Sequence, residues 1–193
     1  MTEKVKSELE TAISNFIKGL GEDLKRDGIS DTPKRFVKQL QECLVGYEDS
    51  PEAHLKTFDN DNYKDLIIVR NTSFSSLCEH HMLPFYGNIS VAYLPKDRIL
   101  GLSKFARITD AITRKLQVQE RITQQLADIL EENLKSELLL VHVTAKHMCM
   151  SARGVRRTGS VTDTLAIRGD AKKHAHYVDQ FYRSIAAGNK EEQ

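Results

Sequence analysis

The order of hydrophobic patterns along the 193-residue chain predicts an α+β fold, in which helices pack on one side of an antiparallel β-sheet. Two helical patterns come first, followed by two strands, two helices, two strands and a last helix. Pairs of strands that flank a helical segment favour this architecture. We expect one domain over residues 1–193, with residues 1–64 as an N-terminal helical arm and residues 65–193 as the core with its C-terminal helix.

The predicted arm contains two amphipathic helices. Apolar residues recur at three- and four-residue steps through residues 3–20, and Gly21 follows the last of them. The second helix starts at Thr32-Pro33, where a plausible capping residue precedes a proline in the first turn, and it stops at Gly46. Residues 47–64 are polar and irregular, so they predict no regular element.

The pattern changes to strands and then back to helices in the core. Alternating or continuous apolar residues predict strands near residues 66–69, 89–93, 138–145 and 161–167. Helical periodicity runs through residues 105–116 and 118–129, and again around residues 178–185. The first two helical patterns are out of phase, so we expect a kink or interruption near Gln117.

Composition excludes several classes of protein. Lys and Arg number 28 against 27 Asp and Glu, a net charge of +1, so no basic excess suggests a nucleic-acid binder. The three cysteines are odd in number and widely spaced, which fits a reducing compartment better than a disulfide framework. The first residues are charged and no apolar run approaches a membrane span. We therefore expect a cytoplasmic protein without a membrane partner.

Two segments carry residues that bind metals. The first is Cys78-Glu-His80-His81, and the second is His147-Met-Cys149. Thiolate and imidazole are the ligands that zinc prefers, and a Cys-x-x-His pair can hold one ion from a single turn of chain. The segment before Cys149 is typical of a strand, so residues 147 and 149 would project to the same face and His147 would lie beside the metal.

Other interpretations of the cysteines remain open at this point. A Cys-x-x-His pair is common by chance, and buried cysteines are usually inert packing residues, as we expect for Cys43. A closed structural zinc site would have four ligands, with His80 or His147 as the fourth.

Three further clusters are candidates for anion or ligand binding. Ser103 could cap a helix on which Lys104 and Arg107 share one face, an arrangement that suits phosphate but is also common on solvated helices. The polar run 117–121 could cap the next helix, or Glu120 could accept hydrogen bonds from a ligand. Arg153 opens a basic run, residues 153–157, that could bind phosphate or form a plain surface loop.

Together these motifs resemble the GTP cyclohydrolase I family. They occur in the family's order and with compatible spacing from about residue 19 to residue 169. The matching segments are Gly21-Glu-Asp23, Thr32-Pro-Lys-Arg35, Ser76-Leu-Cys-Glu-His-His81, Gly101-Leu-Ser-Lys104, Gln117-Val-Gln-Glu120, His147-Met-Cys-Met150 and Arg153-Gly154. One departure is Gly169, which is followed by Asp-Ala-Lys where the family often has an aromatic residue.

The resemblance implies a tunnelling fold (T-fold, ββααββ) and a homo-oligomer, usually a decamer, with active sites between subunits. It implies hydrolytic opening of the imidazole ring of GTP, which yields formate and 7,8-dihydroneopterin triphosphate. The implied zinc ligands are Cys78, His81 and Cys149, and the implied catalytic histidines are His80 and His147. The implied substrate-binding residues are Gln119 and Glu120 for the purine or sugar, and Ser103, Lys104, Arg107, Arg153 and, more weakly, Arg35 for the triphosphate.

Two rival functions use similar residues. A zinc nucleobase deaminase also combines a Cys/His site with a glutamate, but its His-x-Glu and Pro-Cys-x-x-Cys motifs do not occur in this sequence. A structural zinc module that binds nucleotides or partners would have four protein ligands and no turnover.

Overall fold

The periodicity of the first 45 residues produces two helices, α1 (Glu3–Gly19) and α2 (Thr32–Cys43). The computed structural model describes residues 1–191, with side chains described through residue 187. At the start of α1, the Thr2 side chain accepts a hydrogen bond from the amide of Val5 at 3.4 Å. The N-cap of α2 is Asp31, and Pro33 lies in the first turn of that helix. Both predicted helices of the arm are therefore present.

The structure divides into two compact units, Met1–Val45 and the chain from Gly46 onward. Residues 46–59 have contacts in the second unit, although composition alone suggested a boundary at residue 64. The amide of Gly46 donates to the carbonyl of Arg114 at 2.9 Å. A Cβ on Gly46 would lie 2.7 Å from that same oxygen, so only glycine allows this close approach.

The second unit contains the sheet and its covering helices. Two 3-10 helices, Val45–Glu48 and Pro51–His54, lead into the first strand. The strands are β1 (Thr57–Asp59), β2 (Ile67–Cys78), β3 (Pro84–Leu94), β4 (Arg98–Leu100), β5 (Leu116–Gln117), β6 (Leu138–His147) and β7 (Thr162–Gly169). The helices are α3 (Leu102–Thr113), α4 (Gln119–Leu134), α5 (Met148–Ser151) and α6 (Ala175–Glu191).

The main sheet has five strands in the order β5-β2-β3-β6-β7. All neighbours in it are antiparallel except β5, whose two residues pair parallel with the end of β2. A separate two-stranded ladder joins β1 and β4. The four long strands and the two helices between them confirm the predicted ββααββ order, including an interruption at Gln117.

Alternate residues of the strands face two different helical layers. One face packs against α3 and α4, as predicted, whereas α6 packs against the other face through Phe181. Strand residues on the first face include Val91, Tyr93, Leu139 and Val141, and those on the second include Ala92, Leu94, Leu138 and Leu140. Among residues 1–191, no helix combines the length and apolar character needed to cross a membrane.

Candidate metal centre and active site

The first two candidate ligands lie in the tight turn that connects β2 with β3. The carbonyl of Cys78 accepts hydrogen bonds from the amides of His81, at 3.3 Å, and Met82, at 2.8 Å. The amide of Cys78 donates to the carbonyl of Leu83 at 2.9 Å, and Met82 adopts the left-handed conformation with φ of 52°. This turn folds His81 back towards the thiol of Cys78.

The third candidate ligand follows strand β6, which pairs with β3 until His147 lies opposite Phe85. The chain then forms a single helical turn, α5, that contains Cys149. The prediction that a strand continues to residue 149 was wrong, because the chain leaves the sheet at Met148. The alternation of side chains along a strand therefore does not determine how residues 147 and 149 are oriented relative to each other.

The ligand atoms of Cys78, His81 and Cys149 all lie within 4.8 Å of one another. Zinc–sulfur bonds of about 2.3 Å require an edge of roughly 3.8 Å between ligands in a tetrahedron, so small side-chain movements suffice to enclose an ion. Among the described residues, this is the only group of three or more His, Cys, Asp or Glu side chains that could hold a metal ion.

The electrostatics of the two thiols also suit a cation. Burial raises the pKa of the Cys149 thiol, and the neighbouring Cys78 raises it further through a hydrogen bond and its charge. The positive charge of Arg153 acts in the opposite direction. Cys78 thus opposes the ionisation of the Cys149 thiol, and a cation bound between the two sulfurs would remove that opposition. The residues present therefore fit a metal ion, with a coordination position left for water.

His147 is held by two neighbours. Its ring stacks on Phe85, with centroids 4.8 Å apart and planes inclined by 3°, and its Nε2 lies 2.8 Å from Oε1 of Gln119. Burial lowers the pKa of His147, while the charge of Glu120 raises it. The neutral imidazole is therefore favoured in this environment.

The hydrogen bonds of Gln119 assign the protonated nitrogen of His147. The Gln119 side chain is buried, and its amide nitrogen donates to the carbonyls of Val143 and Thr162, both at 2.9 Å, and lies 3.2 Å from Oγ1 of Thr164. The amide oxygen must then be the acceptor towards His147. Nε2 of His147 therefore carries a hydrogen, and Nδ1 is the nitrogen left for another partner. Gln119 was expected to contact the purine or sugar, whereas these bonds direct its side chain to the protein.

His80 has a more open environment. Its side chain is 66% exposed, its Nδ1 lies 3.7 Å from the sulfur of Cys78, and its Nε2 lies 4.0 Å from Glu79. Sequence reasoning missed three residues of this region. These are Glu79 and Arg121, which form an ion pair, and Phe85, which stacks on His147. Glu79 lies inside the recognised motif, but no local signal identified its partner.

The candidate phosphate-binding residues lie at the start of α3 and after α5. Helix α3 begins at Leu102 with Gly101 as its N-cap, so Ser103 is within the first turn and is not the cap. Lys104 is half-buried, whereas Ser103, Arg107 and Arg153 are exposed. Glu120 is exposed in the first turn of α4. Arg35 belongs to the first unit, where its guanidinium lies 3.3 Å from Asp31.

Cysteine and histidine donors next to an imidazole of fixed orientation are typical of metal-dependent enzymes. A family model described as GTP cyclohydrolase I matches residues 9–186. The chain is 42% identical to GTP cyclohydrolase 1 of Bacillus subtilis (strain 168) over 176 residues, which cover 91% of this chain and 93% of that protein. It is 45% identical to GTP cyclohydrolase 1 of Brucella abortus (strain 2308) over 182 residues, which cover 93% and 85%.

A third relative, GTP cyclohydrolase 1 of Bacillus pumilus (strain SAFR-032), is 42% identical over 170 residues, which cover 88% of this chain and 90% of that protein. The chain belongs to the GTP cyclohydrolase I family. The predictions of this family, its T-fold and its enzymatic function are thereby confirmed.

Proposed function

We propose that Cys78, His81 and Cys149 bind zinc, and that the protein uses it to open the imidazole ring of GTP. The products are formate and 7,8-dihydroneopterin triphosphate. The observation that supports this most strongly is the clustering of two thiols and one imidazole within 4.8 Å. A zinc ion in such a site supplies hydroxide at neutral pH, because it lowers the pKa of bound water to about 7.

We assign His147 the transfer of a proton to N7 of guanine as the bond to C8 weakens. Its Nε2–H is engaged with Gln119, so Nδ1 is the atom that first takes up a proton, from solvent or from the attacking water, and then passes it to N7. Burial lowers the pKa of His147, which makes its charged form a readier proton donor. Gln119 thus acts through His147 in this scheme. His80, by the family resemblance, is a second acid or base near the sugar.

Glu120 is our candidate for recognition of the guanine edge. Guanine presents N1–H and a 2-amino group, two adjacent donors that match one carboxylate, whereas adenine has an acceptor at N1 and no 2-amino group. Glu120 lies close enough to His147 for its charge to raise the histidine's pKa, so base recognition and proton transfer would share one region. A site of this kind rejects the wrong base by roughly ten-thousandfold.

The triphosphate is assigned to Ser103, Lys104, Arg107 and Arg153, with Arg35 as a weaker addition. The first turn of α3 offers backbone amides and Lys104, and Arg107 lies one turn later, a combination that favours phosphate. Arg153 lies close enough to Cys149 for its charge to lower the thiol's pKa, which connects the proposed phosphate region with the proposed metal.

The first experiment is a formate assay on the zinc-loaded protein with GTP and with ATP. We expect formate from GTP and almost none from ATP. A nucleobase deaminase would release ammonia instead, and a structural zinc module would release neither product. Glu120→Ala should lose the discrimination, and Glu132→Ala, an exposed acid later on the same helix, is the matched control. Equal ring opening of both nucleotides by the unmodified protein would refute the guanine assignment.

We further propose a cytoplasmic homo-oligomer, such as a decamer, whose sites are shared between subunits. All three cysteines are free, which suits a reducing compartment. Within the described chain, β7 pairs on one side only, and β5 covers only the last two residues on the outer side of β2. Such open edges are suited to pairing with other copies.

Co-refolding tests whether sites are shared. Zinc-ligand, Glu120 and Lys104/Arg107 variants should each have strongly reduced activity with GTP in this proposal. Mixtures of two variants, unfolded and refolded together, should regain partial activity and elute as a large symmetric assembly. A fully active monomer without rescue in any pair would contradict the shared site.

A further inference from the structure

A bidentate ion pair joins the metal-ligand turn to helix α4. Nη1 of Arg121 lies 2.6 Å from Oε2 of Glu79, and Nη2 lies 3.2 Å from Oε1. Glu79 sits between the candidate ligand Cys78 and His80, and Arg121 directly follows Glu120. Two parallel N–H···O bonds fix the relative orientation of the two groups as well as their distance.

The backbone next to this ion pair is also hydrogen-bonded, between the ligand turn and the residues that precede α4. The amide of Glu79 donates to the carbonyl of Gln117 at 3.0 Å, next to the parallel pairing of Cys78 with Gln117. The buried Gln117 side chain donates to the carbonyl of Ile112 at 3.0 Å, and its oxygen lies 3.4 Å from Nη1 of Arg121. The ion pair therefore lies beside backbone hydrogen bonds between the ligand turn and Gln117, and Gln117 is itself bonded to the end of α3.

We propose that Glu79 and Arg121 form a positioning pair, which sets the spacing between the ligand turn, residues 78–81, and the first turn of α4. Because Glu120 would hold guanine from that first turn, the pair fixes where C8 lies relative to the metal. This inference rests on the proposed function. It assigns neither residue a contact with substrate.

The expected effect is on turnover more than on stability. An exposed ion pair contributes little to folding, because water and salt screen it. A displacement of about 1 Å at a reacting centre, however, can cost roughly a hundredfold in rate. A purely structural role would predict no loss of turnover beyond the loss of folded protein.

The test is a charge-reversal cycle on the zinc-loaded protein, with Glu79→Arg, Arg121→Glu and the double variant. Each single reversal should lower kcat about ten- to a hundredfold, with KM changed less than about threefold and the zinc content preserved. The double variant should recover most of the loss. Glu79→Gln and Arg121→Lys, which keep size but lose charge or the fork, cover the case in which a reversal fails to fold.

A second ion pair on the same helix provides the control. Nη2 of Arg168 lies 2.7 Å from Oδ1 of Asp128, and this pair ties α4 to β7 instead of the ligand turn. Reversal of Asp128 and Arg168 should leave kcat within about twofold. Equal losses in both cycles would overturn the proposal, as would single Glu79 and Arg121 variants with normal kcat or strictly additive effects.

Hydrogen exchange gives a readout that does not depend on activity. The backbone amide of residue 79, corrected for its intrinsic rate, should exchange about tenfold faster in each single variant and recover in the double variant, because its bond to Gln117 loosens with the pair. Unchanged exchange would overturn the coupling. If the unmodified protein releases no formate from GTP, the proposed function fails, while exchange still decides whether the pair holds the turn to the helix.

Discussion

The two histidines assigned to proton transfer lie in contrasting surroundings. His147 is half-buried, stacked on Phe85 and bonded to a glutamine whose other polar bonds are all internal. His80 is exposed, in a turn, with long contacts to Cys78 and Glu79 and an edge contact with the ring of His81. The orientation and tautomer of His147 are fixed before substrate arrives, whereas those of His80 are not.

The contrast follows from where the two residues lie in the fold. His147 is the last residue of β6, a strand that is paired on both sides, so its neighbours are held by the sheet ladder. His80 lies between two strands, where side chains are restrained only by the turn. Preorganised groups contribute most in the transition state, so we expect His147 to dominate proton transfer.

The largest expected effect comes from substitution of the proposed metal ligands. Cys78→Ala, His81→Ala and Cys149→Ala should each lose the zinc and all measurable turnover, because two ligands hold an ion poorly. Metal analysis of the purified variants checks this, against an expected one zinc per chain. Cys43→Ala, a cysteine of the other unit, should keep its metal. Full zinc content in all three ligand variants would show that these residues are not the zinc ligands.

His147→Ala should lower turnover about a hundred- to ten-thousandfold, the usual contribution of an acid–base group, and should still bind zinc and GTP. Steady-state kinetics and metal analysis measure both quantities. The matched control is His142→Ala, five residues earlier on the same strand, where the imidazole pairs with Asp163 at 2.9 Å. Near-normal turnover in His147→Ala would show that the buried imidazole does not carry the proton transfer.

His80→Ala should have a smaller effect, roughly tenfold on kcat, because an exposed imidazole without fixed orientation contributes less than a preorganised one. The same kinetic assay applies. A loss equal to that of His147→Ala would show that substrate or metal orders the turn, and that the contrast in the free protein does not carry over to the complex.

The smallest expected effect is on the pH dependence of stability. The pKa of folded His147 is lowered from 6.5, so the unfolded chain binds more protons than the folded one as the solution is acidified. The resulting stabilisation is present above the unfolded pKa and is lost as the pH falls through the folded pKa. Urea unfolding of metal-free protein between about pH 7 and pH 5 should therefore give a flatter dependence for His147→Gln than for the unmodified chain. Identical slopes would contradict the burial effect.

Elements with strong periodicity could be predicted from the sequence, and those with interrupted patterns could not. The phase shift between residues 116 and 118 indicated the break that separates α3 from α4. Strand β2 extends to Cys78, yet only its start was predicted. A bulge between Val69 and Thr72, with Asn71 at φ of 57°, disrupts the alternation, and serines follow. The three-residue strands β1 and β4 are too short to carry a pattern.

The candidate ligands could be found because their residue types and spacing are chemically unusual. Their surroundings could not, because those depend on the register of distant strands. Phe85 reaches His147 through the pairing of β3 with β6, and Gln119 reaches it across 28 residues of sequence. The prediction that Cys149 lies on a strand failed because no local sequence signal indicated the helical turn that begins at Met148.

The separation of the ligands in sequence has a consequence for biosynthesis. Cys78 ends β2 and His81 follows it, whereas Cys149 follows β6, about seventy residues later, and β3 lies between these strands in the sheet. A growing chain therefore cannot complete the ligand set until β6 has been made and has paired with β3. In the proposed function, metal would be acquired after assembly of the sheet, and the bound ion would then join strand ends that share no hydrogen bonds of their own.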